Sequence, residues 1–203
     1  MTTGGGRAGV PGRRLYSAGE IAAAVKRLAA AIAADWSGKP LVLLGVLKGA
    51  LYFTVDLSRE LAAIPDGPSE IIVEYVCVSS YEGGAESNGE PRILLDPAVP
   101  LEGRNILIVD DVADNGFTLD ALGAFLKERG AAALGACVLF DKPARRQASV
   151  PLDYVGLTLP DAFAVGYGLD YQELYRTLPY LAELDAPGCP PIQGHRKTTV
   201  PTS

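Results

Sequence analysis

Residues 106–119 read ILIVDDVADNGFTL, an apolar run that ends on two adjacent carboxylates. Ile106–Val109 suits a buried strand, which puts Asp110 and Asp111 at its carboxyl end. Asp114, Asn115 and Gly116 follow, then Thr118 where a helix begins. The first N–H groups of a helix lack intrahelical partners and carry partial positive charge. Asn115, Gly116 and Thr118 suit a phosphate there, the glycine allowing close backbone approach. The acids cannot bind a phosphate themselves, but they suit sugar hydroxyls or a Mg2+ ion, which takes carboxylates and keeps several waters. Phosphate, sugar hydroxyls and Mg2+ together describe a ribose 5-phosphate site. The competing explanation is a solvated acidic loop that ends in a helix N-cap.

The elements that must position these residues follow a regular alternation. Ser17 and Glu20 have capping-box spacing, and Ile21, Val25, Leu28 and Ile32 repeat at helical intervals. LVLLGV (41–46) is a continuous apolar run of the kind buried on both faces of a parallel sheet. LYFTVDLSRELAAI predicts a helix closed by Pro65 and Gly67. IIVEYVCVSS (71–80) predicts a long strand and YEGGAESNGEP (81–91) a loop. After the 106–109 strand, Leu119, Leu122, Phe125 and Leu126 mark one face of a helix ending near Gly130, and GACVLF (135–140) predicts another strand. Strands alternating with helices predict an α/β domain with a mainly parallel sheet flanked by helices. In such sheets ligands lie beyond the carboxyl ends of the strands, where the acids fall. Residues 1–14 and 186–203, rich in Gly, Pro, Thr and Arg, are expected as disordered tails around a single domain over 15–185.

Composition narrows the function classes. The 203 residues carry a net charge of −6, and without a basic run nucleic-acid binding is not expected. Cys77, Cys137 and Cys189 lack framework spacing, and the first two read as small buried hydrophobes. His195, the single histidine, falls in the C-terminal tail, so the commonest general base and metal ligand is out of consideration. No secretory leader and no membrane-length apolar run is present in this sequence, so a soluble cytoplasmic protein is expected.

The 106–119 stretch resembles the phosphoribosyl-pyrophosphate motif of the type I phosphoribosyltransferases. VLKGALYF (46–53) resembles that family's pyrophosphate loop, and SSYEGG (79–84) the start of its flexible lid. DKPARR (141–146) and DYVGLTLPDAFAVGYGLDYQELYRTLPYL (153–181) resemble the purine-recognition segment of its hypoxanthine-guanine members. The similarity spans roughly residues 15–185, and the C-terminal motif is its most specific part. It implies the family fold, with a small hood formed by terminal segments, and transfer of a 5-phosphoribosyl group from phosphoribosyl pyrophosphate to a 6-oxopurine. By resemblance, Asp110 and Asp111 take the ribose hydroxyls and a Mg2+ through water, and Asp114 is the general base. The backbone of Asp114, Asn115, Gly116, Phe117 and Thr118, with the Thr118 hydroxyl, takes the 5-phosphate. Lys48, Gly49 and Arg176 take pyrophosphate, with a cis peptide at Leu47–Lys48. Lys142 donates to the purine 6-oxo group, Phe163 stacks on the base, and Ala164 and Asp170 receive its amino edge. Asp170 also holds a second Mg2+, and Ser80 and Tyr81 open the lid. A homodimer or homotetramer is the implied assembly.

Four positions depart from the family pattern. Asp110 stands where the purine enzymes have glutamate, Asn115 where they have a hydroxyl residue, Glu82 where they have glycine, and Ala164 where they have valine. A signalling receiver domain shares an ILIVDD-like strand, but its acids lie near the start of a domain of about 120 residues, and the 153–181 segment has no place in it. A regulatory or catalytically weak protein on the transferase fold is the remaining alternative.

Overall fold

The computed structural model describes residues 12–78 and 93–184. In chain order the elements are β1 (Arg14–Tyr16), α1 (Ala18–Asp35), β2 (Pro40–Leu47), α2 (Leu51–Ala62), β3 (Glu70–Val78), β4 (Ile93–Leu95), β5 (Asn105–Ala113), α3 (Phe117–Glu128), β6 (Ala133–Asp141), β7 (Tyr154–Thr158), β8 (Ala164–Val165) and β9 (Leu181–Glu183). Six strands form the main sheet in the order β4-β3-β2-β5-β6-β7. Every neighbouring pair is parallel except the edge pair β3–β4.

The residue pattern explains the layers. Side chains alternate faces along a strand, and β2 is apolar at every position from Leu41 to Val46 apart from Gly45. Leu41 and Leu43 enter one core with Ile21, Val25, Leu28 and Ile32 of α1 and Phe53, Leu57 and Leu61 of α2. Val42, Leu44 and Val46 enter a second core, on the opposite face, with Leu119, Leu122 and Leu126 of α3. The expected capping box starts α1: the Ser17 hydroxyl oxygen accepts from the Glu20 N–H, and the Ser17 N–H donates to the Glu20 carboxylate.

The chain leaves β2 toward β3 on one side and leaves β5 toward β6 on the other. Reversal of strand order at β2/β5 opens a crevice beyond the carboxyl ends of these two strands. A separate antiparallel sheet, β1-β9-β8, forms the hood.

Several expectations change in detail. The strand predicted at 106–109 continues through both acids to Ala113, because β6 pairs with it as far as Ala113↔Asp141. The predicted N-terminal tail loses its last residues: Arg14 pairs with Ala182, and the Arg13 carbonyl accepts from the Glu183 N–H at 2.8 Å. The short strands β4, β7, β8 and β9 carry too few residues for a period to be counted. Cys137 is fully buried, but Cys77 is only partly so. Burial raises the Cys137 thiol pKa and keeps it inert. Ser80, Tyr81, Glu82, Cys189 and His195 lie outside the described residues, as does the predicted tail 186–203.

Candidate active site

The acids meet in the crevice beyond β2 and β5. Asp110, Asp111, Asp114, Asn115, Gly116, Phe117 and Thr118 line one cavity of about 340 Å3, together with Leu47 at the end of β2 and Gly49 in the turn after it. The peptide between Leu47 and Lys48 is cis, as the resemblance implies.

Close backbone contacts build the β2 side. A Cβ on Gly49 would lie 1.8 Å from Asp111 Oδ2, and a Cβ on Gly168 would lie 2.0 Å from the Gly49 carbonyl oxygen. Gly168 also has φ +102, which favours glycine. Arg176 donates from Nη1 to the Gly168 carbonyl at 2.8 Å and pairs through Nη2 with Asp170 at 2.7 Å. Glu173 then joins Lys48 to Arg176: its carboxylate lies 3.0 Å from Lys48 Nζ and 3.3 Å from Arg176 Nη2. Sequence reasoning missed Glu173 and Gly168. Their only signal is position, within three residues of Asp170.

Electrostatics at the end of β5 are unusual for adjacent acids. Asp110 is only 6% exposed. Burial first, and the neighbouring Asp111 charge second, push its carboxyl well above the usual carboxylate range. Burial also raises Asp111, against the lowering effect of the Val112 N–H and the Arg176 charge. Backbone N–H groups answer part of the charge: Asp111 N donates to Asp110 Oδ1 at 3.0 Å and Val112 N to Asp111 Oδ1 at 2.8 Å. Among the described residues no group of three or more His, Cys, Asp or Glu side chains forms a metal cluster. The all-oxygen donor set still fits a divalent cation that draws most of its ligands from water and substrate. A cation there would relieve the repulsion that helps raise Asp110 and would favour the charged form of both carboxyls.

Farther along the loop, Asn115 Oδ1 accepts from the Phe117 N–H at 3.0 Å, which leaves the amide NH2 as this side chain's donor. Gly116, with φ +91, is the residue before α3. Lys142 is 6% exposed, and its Nζ lies 3.9 Å from Asp114 Oδ2. Burial lowers its pKa, and the Asp114 charge opposes that shift. Phe163 and Ala164 belong to the hood and do not line the acidic cavity. Phe163 is 48% exposed and meets the Tyr171 ring edge-on at 5.8 Å between centroids, so its face is not packed into a core. Asp170 is also outside the cavity lining, held by Arg176 and by the Glu173 N–H at 2.8 Å.

A family model described as the phosphoribosyl transferase domain matches residues 12–172. The chain belongs to the phosphoribosyltransferase family. A hypoxanthine-guanine phosphoribosyltransferase of Staphylococcus epidermidis is 40% identical over 172 residues, 85% of this chain and 93% of that protein. One from Staphylococcus aureus is 42% identical over 159 residues, 78% of this chain and 86% of that protein. Among solved structures, a hypoxanthine phosphoribosyltransferase from Staphylococcus aureus superposes with a TM-score of 0.79 at 39% identity, covering 86% of this chain and 92% of its own. A Trypanosoma cruzi hypoxanthine phosphoribosyltransferase mutant, solved as a ternary substrates complex, gives 0.79 at 38% identity, with 86% and 96% covered. The family match over residues 12–172 takes in the main sheet, the acidic cavity and strands β1 and β8 of the hood.

The raised carboxyl of Asp110 yields a prediction with a definite sign. Its folded-state pKa lies above the unfolded value of about 3.9, so ionisation destabilises the native state, and stability falls as pH rises through the interval between the two values. Asp110→Asn keeps the acceptor oxygen and removes the charge. In chelator at neutral pH it should melt at a higher temperature than wild type, with the advantage shrinking as pH falls toward about 4. Melting curves across that range check it, and a lower midpoint for the variant at neutral pH would contradict the assignment of a destabilising charge.

Proposed function

We propose that this chain is a purine-salvage enzyme, a hypoxanthine-guanine phosphoribosyltransferase that converts phosphoribosyl pyrophosphate and hypoxanthine or guanine into IMP or GMP and pyrophosphate. The relatives' shared activity supports the reaction class. The observation that carries the substrate reading is Lys142, a buried donor-only cation 3.9 Å from Asp114, which itself lines the acidic cavity. A 6-oxopurine offers an acceptor to such a cation and a ring N–H to the neighbouring carboxylate.

The residues then divide the work. Asp110 and Asp111 accept hydrogen bonds from the ribose hydroxyls, and the 114–118 loop receives the 5-phosphate. Lys48 and Gly49 backbone groups and Arg176 receive pyrophosphate. With both reactants held in one crevice, the purine nitrogen bonds to the anomeric carbon as the bond to pyrophosphate breaks. Asp114 accepts the proton that the purine loses. A Mg2+ beside Asp110 and Asp111, with a second at Asp170, would neutralise charge on the leaving pyrophosphate. Phe163 offers a ring face to the base, and the Ala164 and Asp170 backbone meets its amino edge. Ser80 and Tyr81 are proposed to close over the reactants and exclude water. The cytoplasm is the proposed location and a homodimer or homotetramer the proposed assembly.

Pyrophosphate release from phosphoribosyl pyrophosphate, measured with hypoxanthine, guanine and adenine in turn, tests the reading. Turnover is expected with the first two, not with adenine, and is expected to stop in excess chelator. Comparable use of adenine would overturn the 6-oxopurine assignment.

Two substitutions test the roles. Asp114→Asn keeps the shape and removes the base, so kcat should fall roughly 10- to 10⁴-fold with smaller changes in purine KM. An unchanged kcat, with the chemical step shown to limit turnover, would exclude Asp114. Lys142→Gln can present either an acceptor or a donor. It should lower kcat/KM for both 6-oxopurines and narrow their advantage over adenine, because an unpaired buried group no longer costs its usual 1–3 kcal/mol or so. Affinity for phosphoribosyl pyrophosphate should change little. Wild-type purine binding and turnover in this variant would place the base pocket elsewhere.

A further inference from the structure

Arg146 does not line the acidic cavity, yet its guanidinium grips the loop from behind. Its Nη2 donates to the Ala113 carbonyl at 3.0 Å and its Nε to the Asp114 carbonyl at 3.2 Å, while Nη2 also pairs with the Asp141 carboxylate. Backbone groups of the same segment complete the grip. Lys142 N donates to the Ala113 carbonyl at 3.0 Å, and Gln147 N and Ala148 N donate to the Asn115 carbonyl at 3.0 and 2.9 Å. Three consecutive carbonyls, of Ala113, Asp114 and Asn115, therefore face residues 142–148.

In a planar trans peptide the C=O and the following N–H point in opposite directions. The only cis peptide among the described residues is Leu47–Lys48. The N–H groups of Asp114, Asn115 and Gly116 thus aim away from residues 142–148, and residues 113–118 line the cavity. Successive N–H groups turned to one side make an anion-binding concavity. Gly116 locks against the same clamp: a Cβ there would lie 3.0 Å from Arg146 Cδ and 3.3 Å from Ala148 Cβ.

We propose that Arg146 is a positioning residue for the phosphate subsite, holding the Ala113 and Asp114 carbonyls behind the loop so that the Asp114 and Asn115 N–H groups face the sugar 5-phosphate. Asp141 balances the guanidinium charge, so Arg146 acts by orientation and not by attracting the anion. The role rests on the phosphate assignment made above for the 114–118 loop.

Titration calorimetry with ribose 5-phosphate, and separately with magnesium pyrophosphate, tests it on wild type, Arg146→Met and Arg146→Lys. Lysine keeps the charge but lacks the planar fork that reaches two carbonyls. Ribose 5-phosphate affinity should fall roughly ten- to a hundredfold in Arg146→Met and at least about threefold in Arg146→Lys, with pyrophosphate affinity within about twofold of wild type. Wild-type ribose 5-phosphate binding by Arg146→Lys overturns the proposal, because charge alone would then suffice. Equal losses for both ligands also overturn it, since Arg146 would be a general brace of the fold. Should Arg146→Met not fold, Arg146→Lys alone decides. Thr118→Val separates the two levels of the argument. If it binds ribose 5-phosphate as tightly as wild type, the phosphate assignment of the loop fails. If it loses binding while both Arg146 variants keep it, only the clamp fails.

Discussion

A buried carboxylate beside a part-buried one at the end of the central strand is the constraint around which the rest of the site is arranged. Asp110 and Asp111 lie in β5 just past Val109, where its pairing with β2 ends, and both line the cavity. Charges withdrawn from water in this way are costly unless they are hydrogen-bonded, paired or neutralised. The structure supplies part of the compensation through the N–H groups of Asp111 and Val112 and through the charge of Arg176. In the proposed site the remainder would come from a cation or hydroxyl donors, so the energetic cost to the fold and the proposed capacity to bind substrate are one quantity seen from two sides. Selection for function can hold such a pair where selection for stability alone would remove it.

The same constraint explains the glycines. Asp111 occupies space that any side chain at Gly49 would need, and Gly49 in turn excludes a side chain at Gly168. The contact thus runs from β5 through the turn after β2 to the segment that carries Asp170, Glu173 and Arg176. Three stretches far apart in the chain are fixed at van der Waals distance by the absence of Cβ atoms. Tyr167 ties the same segment to α2, its hydroxyl donating to Asp56 at 2.6 Å.

Legibility in the sequence followed periodicity. The long elements were readable because β2, β5 and β6 are continuous apolar runs and α1 and α3 repeat at helical spacing. The acidic loop was readable because carboxylates, a glycine and a helix start at that spacing have few other uses. The resemblance supplied Lys142, which no local rule distinguishes from a surface lysine; burial inside the fold separates the two. Glu173 and Arg146 stayed invisible for a related reason. Each acts through a partner distant in sequence, Lys48 for the first and the Ala113 and Asp114 carbonyls for the second. Asn115 was read as a phosphate ligand standing in for a hydroxyl residue, but it also closes the turn into α3 by accepting from the Phe117 N–H, a task suited to a short amide.

The hood has a consequence for the order in which the molecule is made. Strand β1 pairs with β9, Arg14 opposite Ala182, so one of the earliest described segments waits for one of the last. The sheet through β6 can assemble from chain already synthesised, whereas β1 has no partner strand until residues 181–183 have left the ribosome. Closing so long a loop is entropically unfavourable and comes late. Phe163, Ala164, Asp170 and Arg176 all belong to the part of the chain that this late pairing secures. A nascent chain stalled before residue 181 therefore has the acidic crevice but not the finished hood, and chains truncated there carry an electronegative sheet end without its cover.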